Sequence, residues 1–341
     1  MKHLLGDRRP LRRRPFVFGI AASLAAAERA RAQGDGGAGW PDRPIVYINV
    51  FTPGGTTDTL SRLFCARMSE LVGQQFIVEN RSGAGGTVGQ AAIAQAAPDG
   101  YTVGLGSVAS LSIAPSTLPE LPYDPARDFS FISGIWKVPN ILIVNNDLPA
   151  RTVPELIALM KRRPGEYSYG SSGFGTSPHL SMEMFKQKAG VEALHIPYRG
   201  SAPAMLDLLA GRVQLMFDNM TTAIVAAREG KVRALAVTSS ERSPAAPDLP
   251  VLADVLPGFQ ISSWGSLVGP AGMPAPVVRR LTELTRQALG DPELRRRFEE
   301  NGATTWPTTS QQLAEFRAEQ QQLFAGLIRA TGTPLPGMAT N

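Results

Sequence analysis

The sequence predicts an α/β protein built on parallel sheets, and three observations carry that prediction. Short β-branched or aromatic runs alternate with segments of helical periodicity, the connections between them are brief, and the alternation occurs twice. The chain has 341 residues, 43% hydrophobic and 18% charged, which is enough apolar material for a packed core and two domains of ordinary size. It carries one cysteine, Cys65, and three histidines, His3, His179 and His195, which excludes an intrachain disulfide framework and a Cys/His metal cluster.

The first set opens with the strand Ile45-Val46-Tyr47-Ile48-Asn49-Val50-Phe51, ended by Thr52-Pro53-Gly54-Gly55. Thr56-Thr57-Asp58 starts a helix that places Leu60, Leu63, Phe64, Met68 and Leu71 at helical spacing, and Asp58 is expected to cap or complement its first turn. Phe76-Ile77-Val78-Glu79 is a second strand, 87–97 an Ala-rich helix and 101–106 a third strand. A new set begins near 140 with the apolar strand Ile141-Leu142-Ile143-Val144-Asn145. Thr152 and Glu155 have capping-box spacing before a helix over 153–163. Strands at 167–169, 194–196, 213–217 and 233–237 follow, separated by helices, and the Pro-rich stretch 240–258 reads as a crossing loop. Two helices, 274–289 and 308–330, close the chain without a strand of their own. They are therefore expected to pack back on the first sheet. This gives a signal segment at 1–32, a discontinuous first lobe at 40–140 plus 259–335, and a second lobe inserted at 141–258.

The formal net charge of +5 is local. Residues 1–32 hold eight Lys/Arg against Asp7 and Glu28, which leaves the remaining body near neutrality and without an electrostatic footprint for nucleic acid. Those residues also form a basic start, an apolar run over 16–27 and an Ala30-Arg31-Ala32 cleavage site, the three parts of an export signal. The run is too short for a spanning helix, which needs about 20 residues. Arg13-Arg14-Pro15-Phe16-Val17 resembles the twin-arginine pattern, so both that route and the general secretory route stay open. The mature chain is expected outside the inner membrane, in the periplasm.

Four loops lie where strands end, and in an open parallel sheet ligands bind beyond the strands' carboxyl ends. They are Thr52 to Asp58, Gly106 to Ser110, Gly170 to Ser177 and Tyr198 to Ser201, all rich in Gly, Ser and Thr. Several lead into helix N-termini, which present unpaired N–H groups and about half a positive charge each, so two of them facing across a cleft make an anion site without an arginine. Taken singly, each loop reads equally as ordinary turn and cap chemistry. Enzyme signatures fail: Gly83-Ala84-Gly85-Gly86 has Val88 where a dinucleotide loop needs glycine, and Gly173 follows Ser172 directly, which breaks G-x-S-x-G. A pair of Ser171 with His179 exists on paper, with no acid placed to orient the histidine.

These loops, in this order, resemble the extracytoplasmic solute receptors of tripartite tricarboxylate transporters, the TctC or Bug family. The matching stretches include Trp40-Pro41-Asp42-Arg43-Pro44, Phe51-Thr52-Pro53-Gly54-Gly55-Thr56-Thr57-Asp58 and Glu79-Asn80-Arg81-Ser82-Gly83-Ala84-Gly85-Gly86. Further along come Ala97-Pro98-Asp99-Gly100-Tyr101, Leu121-Pro122-Tyr123-Asp124-Pro125, His195-Ile196-Pro197-Tyr198-Arg199-Gly200-Ser201 and Leu215-Met216-Phe217-Asp218-Asn219. The resemblance implies a two-lobed, type II-like periplasmic-binding-protein fold. Each lobe would be a mostly parallel sheet flanked by helices, with the ligand cleft between lobes. It implies a monomeric receptor that closes on a small carboxylate (a di- or tricarboxylate, an acidic amino acid or an aromatic acid) and delivers it to membrane transporter subunits, with no catalytic residue, metal or cofactor. Carried over by position, the ligand contacts are Thr52, Gly55, Thr56, Thr57 and Ser107 from the first lobe. From the second they are Ser171, Ser172, Gly175, Thr176, His179, Tyr198, Gly200 and Asp218. A sensor that signals to a kinase would use the same closing module, and a hydrolase using Ser171 or Ser172 is the remaining alternative.

Overall fold

Apolar alternation and turn chemistry set the strands and helices of the computed structural model, which describes residues 39–332. The export signal and the last nine residues fall outside that range. Strand β1 (Ile45–Asn49) is followed by helix α1 (Thr56–Val72), β2 (Phe76–Asn80), α2 (Thr87–Ala94) and β3 (Thr102–Ser107). β1 lies between β2 and β3, parallel to both. The second set repeats the pattern with α4 (Val153–Arg162), β5 (Ser168–Ser171), α5 (Ser177–Ala189), β6 (Leu194–Pro197), α6 (Ser201–Leu209), β7 (Leu215–Asn219), α7 (Met220–Arg228) and β8 (Arg233–Val237), after a short α3 (Ala114–Thr117) and a long β4 (Phe129–Val144). Here β5 is parallel to β6 and β7.

Two long strands join the sets and make the sheet mixed. β4 and β9 (Ser262–Pro270) are antiparallel to each other over residues 129–139, and β9 continues antiparallel to β3. From Asn140 onward β4 leaves β9 and runs antiparallel between β7 and β8. The chain returns near the same point, where the Thr238 hydroxyl accepts from Asn140 N at 2.9 Å and donates to Ile261 O at 2.6 Å. The parallel triplets expected from the sequence are present, and the antiparallel part was not foreseen. The closing segment does bring strands, β9 and the short β10 (Thr304–Thr305), before and among helices α8 (Ala275–Gly290), α9 (Pro292–Glu300) and α10 (Ser310–Thr331).

The reason β9 and the first half of β4 escape a sequence reading is packing. Both are interrupted by glycine and serine, which depress strand propensity. A methyl at Gly265 would stand 2.4 Å from the Trp136 ring, and one at Gly134 would stand 2.4 Å from Trp306 O and 2.6 Å from its ring. The glycines make room for tryptophans that are remote in sequence.

Helix entry follows the expected chemistry only in part. Thr152 Oγ1 accepts from Glu155 N at 3.3 Å, but the Glu155 carboxylate reaches Arg151 N, so the capping box is half formed. A complete box stands at α10, where Thr309 and Gln312 satisfy each other's backbone N–H groups. Around β4, β5 and β7 the second core gathers Leu142, Tyr169, Phe185, Leu215, Phe217 and Phe259, all fully buried.

Candidate functional site

Four helices begin at one place. The cavity there is lined by Gly55, Thr56 and Thr57 of α1, Thr176, Ser177 and Pro178 of α5, Ser201 of α6 and Asn219 at the start of α7, with Thr52, Ser107, Ala109, Ser172 and Ser263 around them. None of these four helices has a side-chain cap at its N-terminus. Thr176, in cap position, instead donates its hydroxyl to Gly173 O at 2.7 Å. The first-turn N–H groups that these helices have, none at Pro178 or Pro203, therefore meet no side-chain cap, and each end carries about half a positive charge. No charged side chain lines the cavity. The Thr52 and Thr57 hydroxyls are buried without a hydrogen-bond partner, an arrangement that costs about 1–3 kcal/mol per group unless a ligand or water satisfies it.

The walls come from both strand groups and touch. A methyl at Gly200 would lie 2.1 Å from Thr52 Oγ1, and one at Gly85 would lie 2.7 Å from Phe174 O. Thr56 Oγ1 is 3.3 Å from Thr222 Oγ1 across the cleft. The direction of that bond can be worked out. Thr222 and Ser201 both donate to the Asp218 carboxylate, which also accepts from Asn219 N at 2.9 Å, so the Thr222 oxygen is left to accept and Thr56 donates. Burial pushes the Asp218 carboxyl up to about 6, although these three donors favour its ionised form.

The family model for the tripartite tricarboxylate transporter family receptor matches residues 60–333. The chain belongs to that receptor family. It is 37% identical to protein BugT of Bordetella pertussis over 321 residues, 94% of this chain and 96% of BugT. Two solved structures from Rhodopseudomonas palustris have the same two-lobed fold. One is Rpa4515 with adipate, 36% identical with a TM-score of 0.85, covering 86% of this chain and 98% of that one. The other is MatC with bound malate, 31% identical with a TM-score of 0.80, covering 85% and 100%.

In this receptor the residues named from sequence divide into three groups. Thr52, Gly55, Thr56, Thr57, Ser107, Ser172 and Thr176 line the inner cavity. Gly175 and Tyr198 line a neighbouring pocket, and the Tyr198 hydroxyl is turned away to donate to Asp207 Oδ2 at 2.6 Å. Ser171, His179, Gly200 and Asp218 line neither and stand behind the walls. Asp218 orients Ser201 and Thr222, Gly200 lets Thr52 approach, and Asp58 braces its loop by accepting from Gly54 N at 3.0 Å. Sequence reasoning passed over Ser201, although it sits in a loop it quoted, and Asn219, which ends a strand in one of the matching stretches. Ser263 carried no signal, because it comes from the unrecognised β9.

The serine–histidine pairing is also corrected. Ser171 Oγ lies 2.7 Å from His195 Nε2, and His179 is occupied elsewhere, its Nδ1 accepting from Gly175 N at 3.3 Å. His195 is stacked between Tyr169 and His179, with ring centroids 4.7 and 4.2 Å away. The nearby carboxylate, Glu183, accepts from the Tyr169 hydroxyl and from Lys186. Burial pushes both imidazoles down to about 3, so they are neutral, and His179 carries its proton on Nε2. Ser171 is fully buried, which makes this stack a support for the 171–176 loop.

Proposed function

We propose that this receptor captures a small carboxylate between its lobes and delivers it to membrane subunits of a tripartite tricarboxylate-type transporter. The observation that carries the reading is the meeting of four uncapped helix N-termini around a cavity with no charged side chain. An anion there gains N–H donors from both sides, so its binding free energy favours the closed arrangement. The proteins that hold adipate and malate, similar over nearly their whole length, support a carboxylate as the ligand. We assign lobe one to 40–140 plus 259–335 and lobe two to 141–258, with hinges where β4 changes partners at Asn140 and where Thr238 meets Ile261. The thirteen residues named from sequence form the proposed binding machinery: nine line the two compartments, and Ser171, His179, Gly200 and Asp218 support them. The chain acts in the periplasm as a monomer after its signal segment is removed.

The test is thermal melting of refolded protein against mono-, di- and tricarboxylates, amino acids and aromatic acids. A ligand at a hundredfold excess over Kd adds about 2.7 kcal/mol and raises Tm by several degrees. A rise with one class of acid supports the reading, and no rise with any acid overturns it.

A further inference from the structure

Lys137 stands on β4 three residues before that strand changes partners, opposite Trp264 of β9. Its ammonium rests over the rings of Trp306 and Phe316, 4.3 and 4.4 Å from their centroids. A ring face attracts the charge but takes up none of the three N–H donors in a hydrogen bond. Among the described residues no carboxylate pairs with Lys137 and no acceptor meets its ammonium. Burial lowers its pKa from the ordinary lysine value, and a neighbouring anion would reverse that shift. Lys137 is also the one charged side chain lining a pocket of about 370 Å³, a size within the range of small-molecule sites. Trp264 and Phe316 meet edge to face in its wall, with ring centroids 5.6 Å apart, and Leu323 of α10 beside them is 58% exposed. The side-chain amides of Gln260 and Gln320 line it too and make no hydrogen bond within the protein, and the Trp264 indole N–H is buried without an acceptor. Two contacts tie this pocket to the rest of the molecule. Ser263 lines both it and the inner cavity, and Ile261, which accepts from Thr238 at the return crossing, lines it as well. Helix α10, which supplies Phe316, Gln320 and Leu323, reaches α5 of the second set, where Gln187 Nε2 donates to Ala330 O at 2.6 Å.

We infer that this hinge pocket is a second ligand site, that it takes a small aromatic carboxylate whose head group meets Lys137 and whose ring packs on Trp264, Phe316 and Leu323, and that its occupant favours the closed cleft. The inference goes beyond the receptor reading and does not depend on it. The ammonium offers charge and unused N–H donors, and the two glutamine amides offer more. A planar apolar body covers the exposed Leu323 and adds a third ring to an edge-to-face pair, which an aliphatic chain cannot do. The pocket is bounded by the crossing strand and by α10 while the cleft walls touch. An occupant that contacts both therefore adds binding free energy to that arrangement and shifts the population toward it.

Calorimetric titration of the intact mature chain with 2-naphthoate and hexanoate tests the site. Gly200→Val is titrated alongside, because a valine there would collide with Thr52 and hold the cleft walls apart, so that binding outside the cleft is read by itself. 2-Naphthoate is expected to bind wild type and Gly200→Val within about twofold of each other, and hexanoate to bind Gly200→Val at least about fivefold more weakly. Lys137→Met keeps the apolar stem over the rings, removes the charge and should cost about tenfold. Leu323→Glu, at an exposed helix position, brings a carboxylate to the pocket and should also cost about tenfold, which keeps the test independent of how the lysine variant folds. Small-angle scattering should show a smaller radius of gyration for the wild type with 2-naphthoate than without it, and no change for Lys137→Met. Absence of 2-naphthoate binding, or binding that Gly200→Val abolishes and the Lys137 and Leu323 variants retain, overturns the hinge site. Equal affinity for hexanoate overturns the aromatic class. An unchanged radius in the wild type, or the same change in Lys137→Met, overturns the link to closure. None of these outcomes bears on the carboxylate screen of the cleft, so failure of the receptor reading is distinguished from failure of this site.

Discussion

The four helices that begin at the cleft and three that begin elsewhere finish their N-termini in opposite ways. α4, α9 and α10 accept their own first-turn N–H groups on Thr152, Asp291 and Thr309. α1, α5, α6 and α7 do not, and all four converge on the inner cavity. Lack of a cap alone does not mark the site, because α2 and α8 also start uncapped behind Gly86 and Pro274. The convergence does. A side-chain cap contributes about 1 kcal/mol, so the cleft helices forgo stability in the unliganded chain and keep donors available for an anion.

The strongest way to break this comparison is to stop the two walls from meeting. Gly200 has an extended backbone that any residue adopts, so Gly200→Val acts through size alone, against Thr52. Binding of the preferred acid should weaken by about a hundredfold while the melting temperature of the ligand-free protein stays within about two degrees. A calorimetric titration showing unchanged affinity would mean that the walls do not close on the ligand.

A smaller effect should follow from giving a cleft helix the cap it lacks. A methyl at Gly55 would make only ordinary contacts, 3.7 Å to Thr52 O and 3.9 Å to the Ser201 side chain, so Gly55→Asp fits. Its carboxylate should occupy the α1 N-terminus, raise ligand-free stability by about 1 kcal/mol and weaken acid binding about tenfold. The converse is Thr309→Ala at α10, which should cost about 1 kcal/mol in a denaturant titration and leave affinity untouched. If both substitutions moved stability alone, the two kinds of helix end would be equivalent.

The gentlest test is pH. His179 and His195 titrate near 3 in the folded chain and near 6.5 when unfolded, so the unfolded state takes up protons first and stability falls as pH drops below about 6.5. Asp218 works the other way, since its folded value of about 6 lies above the unfolded one and stability is lost as pH rises toward 6. Two imidazoles outweigh one carboxyl; Glu183 and Lys186, which face the stack, form an ion pair with each other. Melting temperature should therefore fall between pH 7 and 5. The double variant His179→Asn, His195→Asn should flatten that slope, and an unaltered slope would remove the buried imidazoles from the account.

Much of the site was legible because strand ends are legible. The loops that hold Thr52 to Thr57, Ser107 and Ser172 to Thr176 could be named from the sequence, since small polar residues after an apolar strand mark a βα turn whatever follows, and the resemblance to the family picked out the residues within them. The reading failed where a residue's role depends on a distant partner. Ser171 and His179 are close in sequence, yet the serine's partner is His195, which the parallel pairing of β5 with β6 places opposite Tyr169. Thr222 had no signal at all until Asp218 and Thr56 were seen on either side of it.

By itself the sequence determined the alternation of strands and helices, the family and the loops that line the inner cavity. Hydrophobic period, turn residues and helix starts act within a few residues of one another. Only the tertiary structure decided that the sheet is mixed, that four bare helix ends meet, and that Arg199 borders the compartment beside them. Those facts depend on residues brought together across the fold, such as tryptophans seated on Gly134 and Gly265, and no local pattern encodes them.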